Sequence, residues 1–185
     1  TGLTIFRPTD GLDEGPVILQ KSCDVGPDET LGDVYFNKLF PMGVAAMVEA
    51  ADLVHAGKHT ETVQDESQAT YEGWCRAAES RIDWARPVGQ VYDLIRACNP
   101  APGAWTTIGG KKLYIYDARK IGFTKFGDVA GKIGEVSAVG EKSIRITASG
   151  GQIEVSRLRH EDGKKMDAAD FARNANLAVG TALGT

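Results

Sequence analysis

The spacing of apolar positions changes twice along this chain. Residues 3–7 alternate as a short strand, Asp10-Gly11 marks a turn, and the aliphatic-rich stretch 16–25 reads as a second strand, giving a β-loop-β unit. Asp28-Glu29-Thr30 then offers capping oxygens and first-turn carboxylates for a long helix through about His55, which Gly57 ends. Pro41 lies inside that span. It lacks a backbone donor and crowds the preceding turn, so it predicts a kink or two abutting helices. Residues 59–84 show little periodicity. Tyr71, Trp74, Ile82 and Trp84 are spaced apolar anchors in polar surroundings, and the stretch reads as a surface linker. Pro87 suits the first turn of a helix, and Val88, Val91, Tyr92 and Ile95 fall near helical spacing up to Cys98. Asn99-Pro100-Ala101-Pro102-Gly103 stops it.

Beyond that stop the period becomes two. Strands are predicted over 104–108, 111–118, 133–139, 143–148 and 152–158, with Gly109-Gly110 and Gly150-Gly151 as turns. Five short strands with glycine turns suggest a small barrel. Asp167 is placed to cap a closing helix from Ala168 to about Asn174, with Asp170 in its first turn.

Length and composition narrow the classes. The 185 residues are 42% hydrophobic and 25% charged, enough to bury a core in one ordinary domain or two small ones, which argues against disorder. The longest apolar run, 42–48, is ended by Glu49 and falls far short of the roughly 20 residues of a bilayer span. Residues 1–6 carry no secretory signal, and the strand-like opening without an initiator Met leads us to expect that the sequence begins inside a larger protein. Cys23, Cys75 and Cys98 are too widely spaced for a disulfide framework or a thiolate zinc site, and a reducing cytoplasm fits them best. Splitting the chain after Pro102 gives 8 basic and 16 acidic residues, then 13 basic and 9 acidic. The halves carry −8 and +4, which suggests two units with different surroundings.

Gly11-Leu12-Asp13-Glu14-Gly15 is the segment of most chemical interest. Its glycines let backbone approach a ligand while carboxylates are presented from a rigid base, although on pattern alone the ordinary reading is a surface turn. His55 and His59 straddle Gly57, and His160 follows a strand in a charged loop, so no metal site is expected. Lys111, Lys112, Lys164 and Lys165 are candidates for phosphate contact, with a solvated basic face as the simpler reading. Trp74, Trp84 and Trp105 read as packing anchors. Walker loops, dinucleotide fingerprints and Gly-x-Ser-x-Gly elbows are absent, which removes the main support for kinase, hydride-transfer and serine-hydrolase chemistry.

The stretch Thr1-Gly2-Leu3-Thr4-Ile5-Phe6-Arg7-Pro8-Thr9-Asp10-Gly11-Leu12-Asp13-Glu14-Gly15-Pro16-Val17-Ile18-Leu19-Gln20 resembles the 10-formyltetrahydrofolate-dependent formyltransferase family. Further landmarks follow in the family's order: Thr70-Tyr71-Glu72-Gly73, Arg81-Ile82-Asp83-Trp84, residues 95–105, and Gly163-Lys164-Lys165-Met166. The resemblance implies an α/β plus β chain. Residues 1–57 would be the C-terminal portion of a Rossmann-like formyltransferase domain, 58–87 a linker, and 88–185 an OB-like open β-barrel domain. It also implies that the family's Asn-x-His pair and Ser-Leu-Leu-Pro loop lie upstream, so that this fragment alone is inactive. Asp13 matches the aspartate of the family's Asn, His, Asp trio, and Asp10, Gly11, Leu12 and Asp13 would line the pterin pocket. The implied cosubstrate is 10-formyltetrahydrofolate, with no metal.

The acceptor is the open point of the resemblance. Asn99-Pro100-Ala101-Pro102-Gly103 is similar to the Asn-Pro-Trp-Pro-Gly stretch of methionyl-tRNA formyltransferases, with Ala101 in place of Trp. Phe40-Pro41-Met42-Gly43 and Thr70-Tyr71-Glu72-Gly73 are similar to the hydrolase domain of formyltetrahydrofolate dehydrogenase. Transfer to the amino group of initiator methionyl-tRNA, with tRNA as partner, is the first expectation. Hydrolysis of 10-formyltetrahydrofolate and transfer to an amino sugar are the alternatives.

Overall fold

A computed structural model describes residues 1–125, 128 and 131–184. The chain divides into two compact units, Thr1–Trp74 and Cys75–Thr185.

The first unit is built on an antiparallel hairpin of β1 (Gly2–Phe6) and β2 (Val17–Ser22), paired from Gly2 with Ser22 to Phe6 with Val17. Its helical half starts at Thr30. The Thr30 hydroxyl accepts from the Asp33 amide at 3.1 Å while the Asp33 carboxylate accepts from the Thr30 amide at 3.0 Å, a reciprocal cap that satisfies two orphan donors. These bonds from Thr30 hold the Asp33 carboxyl below its usual range. The helix then runs as α1 (Leu31–Val34), a π-helical turn over Tyr35–Leu39, and α2 (Phe40–His55). Of the kink or two abutting helices expected at Pro41, the second is found: α1 and α2 abut through this widened turn, with Pro41 in the first turn of α2. A proline ring clashes with the carbonyl of an ordinary helical turn, and bonding at longer range, as from the Phe40 amide to the Tyr35 carbonyl, accommodates it. At the far end Gly57 takes φ 63° and the Lys58 amide reaches back to the Leu53 carbonyl at 2.9 Å, a glycine C-cap.

Helix α2 packs on the hairpin through Ala46 and Ala50, and Lys21 of β2 pairs with Glu49 at 2.8 Å. Away from the hairpin, Phe36, Phe40, Val44 and Val48 form an exposed apolar stripe at four-residue spacing.

The expected linker, 58–87, is not one structure. Its first part returns to the hairpin, where Thr62 and Val17 exchange backbone bonds of 2.8 and 2.9 Å. Tyr71 and Trp74 remain exposed. Its second part belongs to the second unit. Arg81 bridges Trp105, Pro87 bridges Ser149, and Ile82 and Trp84 are buried, with the Trp84 indole donating to the Thr106 hydroxyl at 3.0 Å. The same pattern of bulky residues in a polar stretch thus covers two exposed rings and two buried anchors, and Trp74 is not the packing anchor expected of it.

In the second unit α3 (Val88–Ala97) begins after Pro87, which occupies the N-cap position rather than the first turn, and buries Val91, Tyr92 and Ile95. Among the described residues eight strands follow: β3 (Ala104–Ile108), β4 (Lys111–Ile115), β5 (Ala118–Gly122), β6 (Val136–Val139), β7 (Ile144–Ala148), β8 (Gly151–Val155), β9 (Arg157–His160) and β10 (Met166–Asp167). They form two antiparallel four-stranded sheets, ordered β10-β9-β4-β3 and β5-β8-β7-β6. Two of the expected strands, 111–118 and 152–158, each break in two and pass from one sheet to the other. At the break the Asp117 carbonyl accepts from the Ser156 amide at 2.8 Å and the Ser156 hydroxyl at 3.0 Å. The Gly109-Gly110 turn is as expected, both glycines having positive φ. The closing helix α4 (Ala168–Asn174) starts where expected, but Asp167 at its N-cap makes no side-chain cap bond. Leu113, Ile115, Ile146, Ile153 and Leu158 from both sheets meet Tyr92, Ile95 and Phe171 from the helices in one core.

The two tryptophans of the expected linker separate these environments. Trp84→Ala is expected to cost about 3–5 kcal/mol in urea denaturation, whereas Trp74→Ala should stay within about 0.5 kcal/mol.

Candidate functional site

The loop between β1 and β2 carries the candidate carboxylates. It closes at its base, where the Arg7 amide donates to the Pro16 carbonyl at 3.0 Å. Gly15 is obligatory there, because a Cβ would lie 1.9 Å from the Arg7 carbonyl oxygen, a backbone atom that cannot give way. Gly11 lies under the Glu14 side chain, whose carboxylate also accepts from the Thr9 hydroxyl at 3.3 Å. Both glycines of the motif therefore serve the loop's own packing.

At the tip Asp13 has φ 54°, in the left-handed region. Aspartate is one of the few residues with a side chain that visits this region routinely. The Gln64 amide nitrogen donates to the carbonyls of Asp13 at 2.8 Å and Gly15 at 2.7 Å. Sequence reasoning missed Gln64. It sits in a polar stretch without period, and no spacing marks it as a partner of the loop.

Leu12, Asp13 and Glu14 face an open cleft of about 640 Å³, lined also by Val17, Gln64 and Tyr71. Asp10 and Gly11 lie in the same loop but do not line it. Asp65, on the cleft's other side, accepts from the Ser67 hydroxyl and amide, and these bonds hold its carboxyl below the usual range. The cleft thus presents carboxylates with an exposed apolar side chain, Leu12, beside them. Such a wall suits a flat polar heterocycle, and a carboxylate beside it can take or hold a proton.

The histidines are dispersed. His55 ends α2, His59 lies 3.5 Å from Glu61, and His160 is half-buried and stacked on Phe171 rather than solvated in a loop. Among the described residues no group of three or more His, Cys, Asp or Glu is placed to hold a metal ion. Burial pushes the Cys98 thiol up to about 12, with Cys75 beside it adding to the shift, so Cys98 is not a nucleophile at neutral pH.

The four lysines fall on or beside one sheet. On β4, Leu113 and Ile115 point into the core, so Lys112 and Tyr114 share the outer face. There Lys112 lies over Trp105 at 4.6 Å, Arg159 over Tyr114 at 4.2 Å, and Lys165 over Tyr116 at 3.8 Å. Lys111, at the strand end, pairs with Asp162 at 3.1 Å, and Lys164 is exposed. The structure therefore brings Lys112 and Lys165 into one cation-aromatic face and leaves Lys111 neutralised beside it.

Comparison with known proteins gives a consistent result. The family described as formyl transferase, C-terminal domain, matches residues 75–176, starting where the second unit begins. A mitochondrial 10-formyltetrahydrofolate dehydrogenase of Mus musculus is 35% identical over 184 residues, covering 96% of this chain and 20% of that protein. A methionyl-tRNA formyltransferase of Syntrophus aciditrophicus (strain SB) is 31% identical, covering 100% of this chain and 57% of that protein. The chain thus spans little more than half the length of one relative and a fifth of the other. In fold it is similar to HypX from Aquifex aeolicus in complex with tetrahydrofolic acid, with a TM-score of 0.77 at 20% identity, covering 96% of this chain and 31% of that one.

Proposed function

Because the chain belongs to the formyl transferase family, we propose that the enzyme containing it transfers a formyl group from 10-formyltetrahydrofolate to an amine, with Asp13 as a catalytic residue. The observation that carries this reading is Asp13 itself. It stands at the tip of a tightly closed loop, in left-handed backbone, on the wall of a cleft.

In this reading residues 1–57 close a Rossmann-like catalytic domain, and the exposed stripe of Phe36, Phe40, Val44 and Val48 is an inner face of that larger domain. The two sheets of the second unit form an OB-like barrel. Leu12 and Asp13 line the pterin pocket, with Leu12 as its apolar wall.

The chemistry proceeds by addition and elimination. The amine nitrogen adds its lone pair to the formyl carbon, and the carbonyl π pair moves to oxygen. That oxyanion requires donors, and no Asn-x-His pair occurs in these 185 residues, so the donors come from elsewhere in the enzyme. Asp13 holds and charge-stabilises the donor histidine and assists removal of the ammonium proton from the adduct. The carbon–N10 bond of the folate then breaks, and N10 takes up a proton.

The amine we favour is that of methionyl-tRNA. The outer face of the second unit supports this choice, since Lys112, Arg159 and Lys165 are each held over an aromatic ring, which gives fixed cations for phosphates. Water as acceptor is the second reading. It is supported by identity to the dehydrogenase, and it uses the same carboxylate.

Two experiments test the proposal. In the complete enzyme, Asp13→Asn is expected to keep the left-handed backbone and the melting temperature while lowering kcat by about 100-fold to 10,000-fold. Activity equal to wild type at matched stability returns the loop to a plain surface turn. Initiator tRNA titrated at 50 and 200 mM salt is expected to bind about 40-fold more weakly at the higher salt if about three phosphates are neutralised. Negligible binding at both concentrations points to water or an amino sugar as acceptor.

A further inference from the structure

The β1–β2 loop is closed at its base by backbone contacts and across its limbs by the Thr9–Glu14 side-chain bond at 3.3 Å, and, among the described residues, Gln64 reaches its tip from outside the loop. The Arg7–Pro16 bond and the seat of Gly15 on Arg7 fix the limbs of the loop, but neither reaches Asp13. The contact at the tip is the Gln64 amide. A primary amide nitrogen has two N–H donors, and the Asp13 and Gly15 carbonyls receive one each, at 2.8 and 2.7 Å. These carbonyls lie on either side of Glu14, so the fork fixes the peptide plane that follows Asp13 and the one that closes the loop. With φ of Asp13 held at 54°, the direction of its Cα–Cβ bond is set.

Gln64 is itself anchored. Two residues before it, Thr62 and Val17 exchange bonds of 2.8 and 2.9 Å, and directly after it the Asp65 carboxylate caps the turn Glu66–Gln68 through the Ser67 amide at 3.0 Å. The Gln64 side chain is half-buried. It lines the same cleft as Asp13. A flexible tie would hold the loop in place without aiming it; a fork from a fixed base does both.

We propose that Gln64 is a positioning residue, which aims the Asp13 carboxylate into the cleft by clamping the carbonyls of Asp13 and Gly15. This rests on the reading above that gives Asp13 its role in formyl transfer. Misplacement of a reacting group by about 1 Å costs on the order of 100-fold in rate, so loss of the clamp acts on turnover rather than on folate binding, to which Gln64 itself contributes no charge.

The test is a mutant cycle in the complete enzyme, read by steady-state formyl transfer and by melting temperature. Gln64→Ala removes the side chain, and Gln64→Met keeps its length while removing both donors. Each is made alone and with Asp13→Asn. The expected result is a fall in kcat of about 10-fold to 100-fold for both single variants, with the KM for folate changed by less than about threefold. In the Asp13→Asn background either change should cost less than about twofold more, because a residue that acts through Asp13 has nothing left to aim. Near-wild-type kcat in folded Gln64→Met overturns the inference and leaves the Asp13 reading standing. An equal loss in both backgrounds overturns it too, since Gln64 would then act independently. If neither variant folds, Gln64 serves the fold and the inference falls. An active Asp13→Asn enzyme removes the catalytic reading and the inference together, and that outcome is recognised from the Asp13→Asn variant alone.

Discussion

The backbone at Asp117 is the constraint on which the second unit depends. Two strands must leave one sheet and enter the other side by side, and each bend removes peptide groups from the ladders. A carbonyl or amide that leaves its ladder needs another partner, from the chain or from water. The Asp117 carbonyl takes the Ser156 amide and hydroxyl, and the Tyr116 amide reaches the Arg157 carbonyl at 3.1 Å, so the turn is made with its polar groups satisfied. Leu113 and Ile115 before the bend and Val155 and Leu158 around it can then all face one core. The outer face of the same sheet is left for Lys112, Tyr114 and Arg159.

Sequence pattern reads pairs of neighbours along the chain, and this explains which parts of the fold were legible. Glycine turns at Gly109-Gly110 and Gly150, the cap at Thr30 and the end of α2 at Gly57 are local, and each is visible in a few residues. The strand corners are not local. At each corner the period slips by one, with Ile115 and Tyr116 both buried and Ser156 and Arg157 both exposed; so small a slip reads as noise within one strand, and the bend itself is a relation between Asp117 and Ser156. Ile82 and Trp84 show the same limit. Their size and their polar neighbours mark them for burial, but the core that receives them is assembled from β3 onward.

The site follows the same division. Asp13 was found by resemblance rather than by pattern, since Gly11-Leu12-Asp13-Glu14-Gly15 is chemically an ordinary turn. Asp10 and Gly11 came with it in the same resemblance, and neither lines the cleft. Gln64 carried no signal because its role is defined by two carbonyls about fifty positions away. Among the lysines, sign was legible but state was not. Lys111 and Lys112 are neighbours in sequence, yet one is paired with Asp162 and the other lies on Trp105, because successive side chains of a strand take opposite faces.

The two units differ in how far they sustain themselves, and this bears on the carboxylate. Among the described residues, the buried apolar side chains of the first unit are Val34, Ala46 and Ala50, whereas the second buries isoleucines, leucines and valines from five strands, β4 and β6 to β9. Burial of a large aliphatic side chain contributes about 1.5–3 kcal/mol, so within these 185 residues the first unit holds less core than the second. A left-handed residue with a side chain costs roughly 1–2 kcal/mol, less for aspartate, which bonds locally. Two hydrogen bonds to carbonyls return about 0.5–1.5 kcal/mol each. The terms are of one size. The conformation of Asp13 is therefore supported by contacts made locally at the loop. It is set by a balance in which Gln64 is a principal weight, and a carboxylate held this way can be shifted by small changes in the segment that follows Thr62.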